Sequence, residues 1–555
     1  MKRYFIAALA LMLSLGLGAQ NMYDAYRFSA TDYLGTARVL GLGGAVTAVG
    51  SDLGSISYNP AASAVARYSQ FSISPALSSS LVNTSFILDP SSNAKQAGFM
   101  NNSTLALPNI ALSSRMDLTY DSSSAVSFAF VINSTYDYNY AHSGSGLNPY
   151  SSKFGELARA ADGFTNEELG KDDFYYNASN SPYWDVAMAY NAGLINALEV
   201  DGQYVGCSEL IREDGFRYVP GELMQKSEVL HSGTKNDMIF NMAFDFDNRF
   251  YVGVNLGMPF LEYSNMERFT EVAQVVEDFP VKFTYSDGST EDTFFSNASY
   301  QYNYRAEGLG VYAKIGFIWL PVKGLRLGFA YQTPTLMDIN ETWVHSGRVS
   351  YDNGSSYSAH SHTGSFEYSI VSPHHLDFGL AYTLSDKALF SFDYSLEDYS
   401  SVKIYDSYDD GYFDVVNAGI SEFSGFSHAF RLGLEFKLGR AFAIRAGANL
   451  ITSAEKYYSS ADSEVFYSDY DEDYYLGRKD LPVNSSYVKD YRKSISLGFG
   501  YNDLSSPFYA DVAVRFASLP SYVYQPYYDY DDVYSPLFHN TRSMINAVLT
   551  LGWRF

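Results

Sequence analysis

The 555-residue chain carries 62 acidic against 37 basic side chains, a formal net charge of −25. So acidic a surface repels nucleic acid and excludes a DNA or RNA partner, and the single cysteine, Cys207, excludes an internal disulfide. The length would suit several soluble domains, but 50 Tyr and 39 Phe with only 18% charged residues fit a large membrane barrel, whose aromatics gather at both interfaces and on the lipid face.

In chain order, Lys2 and Arg3 precede an apolar run from Tyr4 to Leu17, which gives way to small residues at Gly16, Gly18 and Ala19. A basic start, a short apolar run and small residues at a cleavage point are the parts of a secretory signal peptide, assigned here to residues 1–19. Cleavage after Ala19 leaves Gln20 first, and cleavage after Gly18 fits the small-residue rule slightly better. No later stretch is long and apolar enough for a membrane-spanning helix. The exported chain is therefore either soluble or a barrel, the other architecture that satisfies every backbone group in lipid.

The next region fits no strand. From Gly35 to Ala66 the chain is crowded with Gly, Ala and Ser, through Gly41-Leu-Gly43-Gly44-Ala45 and Ser51-Asp52-Leu-Gly54-Ser55 to Asn59-Pro60-Ala61-Ala62. Small residues permit close backbone packing and positive φ, and Asn-Pro favours a turn and bars a central strand. This predicts a compact plug, a hatch over residues 20–68, ahead of a barrel over 69–555. The Gly41–Val46 run starts like a dinucleotide fingerprint, but it lacks the third small residue and has no strand before it. No cofactor is expected.

Period-two alternation carries the fold beyond that point. In the last strand Ile545, Ala547, Leu549, Leu551, Trp553 and Phe555 share one face, and Asn546, Val548, Thr550, Gly552 and Arg554 the other. Phe430, Leu432, Leu434, Phe436 and Leu438 likewise alternate with Arg431, Gly433, Glu435 and Lys437. Similar rows occur at 126–132, 240–246, 250–258, 311–319, 325–331, 376–382, 390–394, 442–450, 495–501 and 508–516, with weaker ones at Phe71/Ile73, Ile110/Leu112 and Phe366–Ile370. The fold class is all-β, a transmembrane antiparallel barrel of about fourteen strands, an even count as bacterial barrels require. A soluble propeller is disfavoured, because the second face carries Gly, Ser and charge rather than a second apolar layer.

The connections divide into two kinds. Tyr405–Asp414, Asp469–Asp480 and Tyr527–Tyr534 are acidic, Tyr-rich tracts, expected in long extracellular loops. Phe154, Leu157, Ala158 and Ala161 have helical spacing and predict a surface helix in a large loop, whereas the segment around Trp184, Met188 and Ile195 reads as helix or strand. Asp469-Tyr-Asp471-Glu-Asp473 mimics the first ligands of a calcium loop but has Tyr474 where the tight turn needs Gly. His360, His362, His374 and His375 lack further ligands at zinc-site spacing. No metal site is assigned, and with no nucleophile or metalloprotease motif no enzyme is expected. The inward charges Lys314, Arg326, Asp377, Asp393, Arg431, Glu435, Arg445, Asp511 and Arg515 are of mixed sign; in a narrow lumen they must pair with one another or with the plug.

The block Gly35-Thr-Ala-Arg38, Gly43-Gly-Ala-Val-Thr-Ala48, Asp52-Leu-Gly-Ser55 and Asn59-Pro60-Ala61 resembles the hatch of FadL-like outer-membrane transporters, the long-chain fatty-acid and toluene-type hydrocarbon channels. Ala429-Phe-Arg431-Leu-Gly433-Leu and Phe442-Ala-Ile444-Arg445-Ala-Gly447 resemble a late strand pair of the same barrels. The resemblance implies fourteen strands around a hatch, location in the cell outer membrane, and passive uptake of hydrophobic small molecules, captured outside and released sideways through the wall. It carries over only Asn59, Pro60 and Ala61 as hatch residues and leaves the ligand site unassigned; an inward kink near Pro75 or Pro108 is the expected gate. The alternative is a general porin or surface-interaction barrel using its acidic loops. The remaining expected partners are outer-membrane lipid and, through the strand ending at Phe555, the barrel-assembly machinery, with the protein a monomer.

Overall fold

The computed structural model describes residues 22–88, 96–118, 123–170, 183–198, 202–284, 289–385, 387–406, 411–454, 491–503, 505–527 and 535–555. The signal segment 1–19, the calcium-like run 469–473 and most of the three acidic tracts lie outside the described residues.

Fourteen antiparallel strands close into a barrel. They are β1 (Gln70–Ile87), β2 (Gln96–Asp117), β3 (Ala125–Asp137, continued as Tyr140–Asn148), β4 (Leu223–Phe246), β5 (Phe250–Ala273), β6 (Thr290–Val322) and β7 (Leu325–Gln332, continued as Leu336–Tyr351). The second half comprises β8 (Gly364–Val371, continued as His375–Leu384), β9 (Ala388–Asp398, continued as Lys403–Tyr405), β10 (Phe426–Leu438), β11 (Phe442–Ile451), β12 (Arg492–Tyr501), β13 (Phe508–Ser518, continued as Tyr522–Tyr524) and β14 (Leu537–Arg554). β14 pairs with β1 from Gln70↔Arg554 to Ile87↔Leu537, which seals the ring.

Proline marks several interruptions, because it cannot donate to a ladder. β7 breaks at Pro334 and its neighbour β8 at Pro373. Across the paired breaks the Thr335 amide donates to Ser372 Oγ at 3.0 Å, and the Ser372 amide donates to the Thr335 carbonyl at 2.9 Å.

At one end the turns are short. Asp247 and Asn248 both take positive φ, 55° and 51°, as a tight hairpin turn requires. Just inside these turns an exposed aromatic girdle faces outward, including Phe71, Phe246, Phe250, Trp319, Tyr382, Phe390, Phe436, Phe442 and Trp553. Outward rows such as Phe250, Val254 and Leu256 on β5 and Leu309, Val311 and Ile315 on β6 continue the apolar belt, over the roughly 9–11 residues per strand that span hydrocarbon. Above it, β5–β8 present Glu262, Glu307, Asp338 and Glu367 to the outside, which marks the return to water. A closed barrel with an apolar exterior, an aromatic girdle and short turns at one end is an outer-membrane barrel.

The other end carries the long connections. The largest, between β3 and β4, includes α4 (Lys153–Ala161), α5 (Asn166–Leu169) and α6 (Trp184–Asn191), after α1 (Met22–Ser29), α2 (Ala37–Gly41) and α3 (Ala62–Val65) near the N-terminus. The helix expected from Phe154, Leu157, Ala158 and Ala161 is α4, but its apolar stripe is buried rather than at the surface. It packs with Met188 and Leu194 against Phe295, Ala298 and Val349 at the tops of β6 and β7. Ser152 caps α4, donating to Glu271 Oε2 on β5 at 2.7 Å, while Glu271 Oε1 accepts from the Lys153 amide at 2.8 Å. The Trp184 segment is helical, and Ile195 begins a short strand. Cys207 is buried in this cap, and burial with Glu271 and Glu209 nearby pushes its thiol well above the ordinary range.

Candidate functional site

The N-terminal segment reaches the barrel wall on all sides. Asn59 donates its side-chain amide to three carbonyls: Thr47 at 2.8 Å within the segment, and Phe317 at 3.0 Å and Phe329 at 3.4 Å on β6 and β7. Its Oδ1 accepts from the Ala61 amide at 3.1 Å, fixing the turn through Pro60. The wall makes room with glycine: a Cβ on Gly316 would lie 2.2 Å from Asn59 Oδ1, and one on Gly253 2.5 Å from the Pro60 carbonyl. Asn59, Pro60 and Ala61 therefore sit where the segment meets β5, β6 and β7.

All nine inward charges meet partners of the expected kind. Lys314 pairs with Asp377 at 3.0 Å and donates to the Ser57 carbonyl. Glu435 joins Arg38 of α2 at 2.9 Å to Arg445 at 2.7 Å, and Arg445 continues to Asp511 at 2.5 Å. Arg326 reaches the Val49 carbonyl, Asp393 accepts from the Thr47 amide, and Arg431 lies 5.5 Å over the Tyr58 ring of the segment and donates to Ser395. Arg515 holds Asp32 at 2.8 Å and bonds Asn546. Buried ions remain tolerable when so compensated, and the same bonds pin the segment in the lumen.

Among the described residues, the ladder between β2 and β3 stops part way. Their pairing runs from Asp117↔Ala125 to Asn109↔Asn133 and ends there. The next residue along β2 is Pro108, which has no amide hydrogen to continue the ladder. β3 then slips register between Ser134 and Tyr136 against β4, and its continuation Tyr140–Asn148 pairs with β4 alone. The upper part of β2 is left with pairing on its β1 side only, and Leu105 there is 88% exposed. The two strands approach again at Gly98, where a Cβ would lie 2.1 Å from the Ser143 carbonyl. The interruption of the ladder is thus bounded at both ends. Pro75, by contrast, lies at a small bulge within the paired β1–β2 ladder.

The N-terminal segment occupies the edge that β2 abandons. The Asp32 amide donates to the Thr135 carbonyl at 2.5 Å and the Leu34 amide to the Ser134 carbonyl at 3.4 Å. Asn133 donates to Ser57 Oγ at 2.8 Å.

Above the segment the lumen is aromatic. Phe28 of α1 packs with Tyr138, Tyr263 and Tyr304, and a row of rings and cations runs from β14 past β3 and β4 to β5 and α1. The Arg542 guanidinium lies 4.0 Å from the Tyr140 ring centre, Tyr140 stacks on His231 at 4.1 Å, His231 stacks on Tyr263 at 6.0 Å with an Nδ1–hydroxyl hydrogen bond of 2.7 Å, and Arg27 lies 4.8 Å over Tyr263. Near the interrupted ladder, at Tyr136, is a cavity of about 240 Å³, walled by Tyr26, Tyr136 and Tyr399 and carrying Arg431, Arg492 and Glu397. Sequence periodicity misses these residues, because they come from separate elements whose upper halves are polar on both faces.

The other sequence candidates are dispersed. His375 pairs with Glu397 at 3.1 Å, His374 with Tyr331, and no group of metal-ligating side chains occurs among the described residues. The Gly41–Gly44 run ends α2 inside the lumen and follows no strand.

No family model and no curated relative matches the sequence. Among solved structures, the chain aligns with a Pseudomonas aeruginosa FadL homologue at 10% identity over 95% of this chain and 100% of that one, with a TM-score of 0.49. The toluene transporter TodX of P. putida aligns at 10% identity over 94% and 98%, TM-score 0.45. The toluene transporter TbuX of Ralstonia pickettii aligns at 13% over 94% and 98%, TM-score 0.43.

Proposed function

We propose that this protein is an outer-membrane channel for passive uptake of hydrophobic small molecules. In this reading the extracellular cap and upper lumen capture the solute, residues 20–68 act as the hatch with Asn59, Pro60 and Ala61 as its anchoring turn, and the solute leaves sideways into the bilayer. The interrupted β2–β3 ladder carries the reading. An unpaired strand edge at membrane depth is costly and has a purpose if cargo passes there. The segment that crosses the lumen favours lateral exit over the alternative of a water-filled porin.

A disulfide joining Leu34→Cys to Ser134→Cys tests the exit. Oxidised, it should lock the hatch edge to β3 and abolish uptake of a fluorescent hydrophobe into proteoliposomes, and reduction should restore it. Full uptake with the bond formed would sink lateral release through this window. In planar bilayers the intact protein should show little steady conductance, and deletion of residues 35–66 should raise it.

A further inference from the structure

Beside the interrupted ladder the outward face changes character. Above Pro108 the β2 backbone is paired on its β1 side only, among the described residues, and a backbone group left unmet in hydrocarbon is costly. Next to that edge three outward side chains are polar. Ser79 of β1 donates to Asn101 Oδ1 of β2 at 2.8 Å, and Ser103 donates to Ser79 Oγ at 3.0 Å. Asn101 and Ser103 are exposed, and on the same face so are the apolar Phe99 and Leu105 on either side of them.

Elsewhere at this height the wall is apolar. Ser79 lies eight residues beyond the girdle residue Phe71 and pairs with Ile545 on β14. The same count of eight from Phe246, Phe250 and Trp319 reaches Met238, Met258 and Val311. The polar set is also uncharged, for no acidic or basic residue occurs in β1 from Gln70 to Ile87 or in β2 from Gln96 to Ser114. Across the interruption β3 continues with Asn133, Ser134 and Thr135, and Asp137 is engaged by Asn139. Asp32, whose amide bonds Thr135, occupies Arg492 and Arg515.

These groups select among cargoes. A bare hydrocarbon leaves the strand edge and the three side chains unmet, and a carboxylate would pass into lipid with no counter-ion. A hydroxyl or an amide can bond both the edge and the patch. The free edge lies between Asn109 and Gly98, within a wall that closes at both, which suits a small molecule better than the strand of a second barrel. We propose that the cargo released at β2 is an uncharged amphiphile, an apolar chain or ring ending in a hydroxyl or amide. Its polar end is handed along the β2 edge and the Ser79–Asn101–Ser103 patch while its apolar part enters the bilayer. The assignment rests on the uptake reading above and narrows its cargo.

Uptake of radiolabelled 1-dodecanol, dodecane and dodecanoate by Gram-negative cells carrying the full-length protein, measured above cells without it, tests this. Dodecanol should enter several-fold faster than either. Ser79→Val, Asn101→Leu and Ser103→Val together make the patch apolar like the rest of the belt. They should slow dodecanol about fivefold, the worth of about one hydrogen bond, and leave dodecane unchanged, whereas Asn101→Ser alone should retain most of the rate. Heat-modifiable gel migration checks that each variant is folded. Equal rates for dodecanol and dodecane, or a triple variant that takes up dodecanol like the parent, overturns the proposal. So does native mass spectrometry showing a lipid that stays bound to the parent and is lost from the triple variant, which would make the patch a seat for outer-leaflet lipid. If dodecane or dodecanoate enters fastest, the uncharged-amphiphile assignment fails and the uptake reading stands; if no probe enters above background, both fail.

Discussion

Asn109 and Asn133 form the last paired rung between β2 and β3, and Asn133 passes its side-chain amide onward to Ser57. One residue thus ends the wall and holds the segment behind it. Replacing Asn133 with Ala removes the bond and should cost about 1 kcal/mol locally. Hydrogen exchange of the 133–142 amides should quicken several-fold, while that of β10 and β11 stays unchanged; uniform quickening would show a general loss of stability instead.

Asn59 supplies three donor contacts to carbonyls in the segment and the wall. Asn59→Ala leaves those oxygens unmet and should destabilise the seating of the segment by about 2–3 kcal/mol, at about 1 kcal/mol per bond. Limited proteolysis from the periplasmic side should then cut within residues 35–66, where the parent resists. Unchanged resistance would mean that the glycine-lined fit alone holds the turn.

Glu435 bridges Arg38 and Arg445. Its neutral counterpart, Glu435→Gln, leaves two buried guanidinium groups facing an amide, and loss of one member of a buried pair costs about 3–5 kcal/mol. The urea midpoint for unfolding in lipid vesicles should fall clearly. Arg38→Met paired with Glu435→Gln should recover part of the loss, which separates charge imbalance from lost packing.

Cys207 offers a check with pH. Because burial raises its pKa, the folded protein holds the thiol protonated through and above the pH at which a free cysteine becomes thiolate. Maleimide should fail to label the native protein between pH 7 and 9 and should label it fully once it is unfolded. Rapid native labelling at pH 8 would place the extracellular cap in a looser packing than described.

The sequence is most readable where lipid acts on it. In the belt, outward Leu, Phe and Ile alternate with inward Gly, Ser and charge, so β10, β11 and the lower half of β14 are legible almost residue by residue. Above the belt that contrast disappears. In β6 the inward Tyr300, Tyr302 and Tyr304 alternate with Gln301, Asn303 and Arg305, both faces are polar, and a strand of 33 residues reads as one of nine. Inward charges announce themselves by parity, but their carbonyl partners at Val49 and Ser57 carry no side-chain signal. Pro108 is legible as a ladder break because its chemistry is local. The stack through Arg542, Tyr140, His231, Tyr263 and Arg27 is not, since only folding brings those residues together.

The unequal strand lengths have a consequence, under the proposed uptake, for where a solute would first leave water. β6 has 33 residues, whereas β11 and β12 have 10 each. Among the described residues, at about 3.4 Å per residue and a tilt near 45°, β6 extends roughly 50 Å further along the barrel than β11 or β12. The α4–α6 cap packs on the upper ends of β6 and β7. In the proposed uptake, an apolar solute would meet protein before it meets lipid, and the first partition step would be set by side chains whose affinity can be tuned. Under the proposed lateral release, the membrane would receive only what those side chains have already selected.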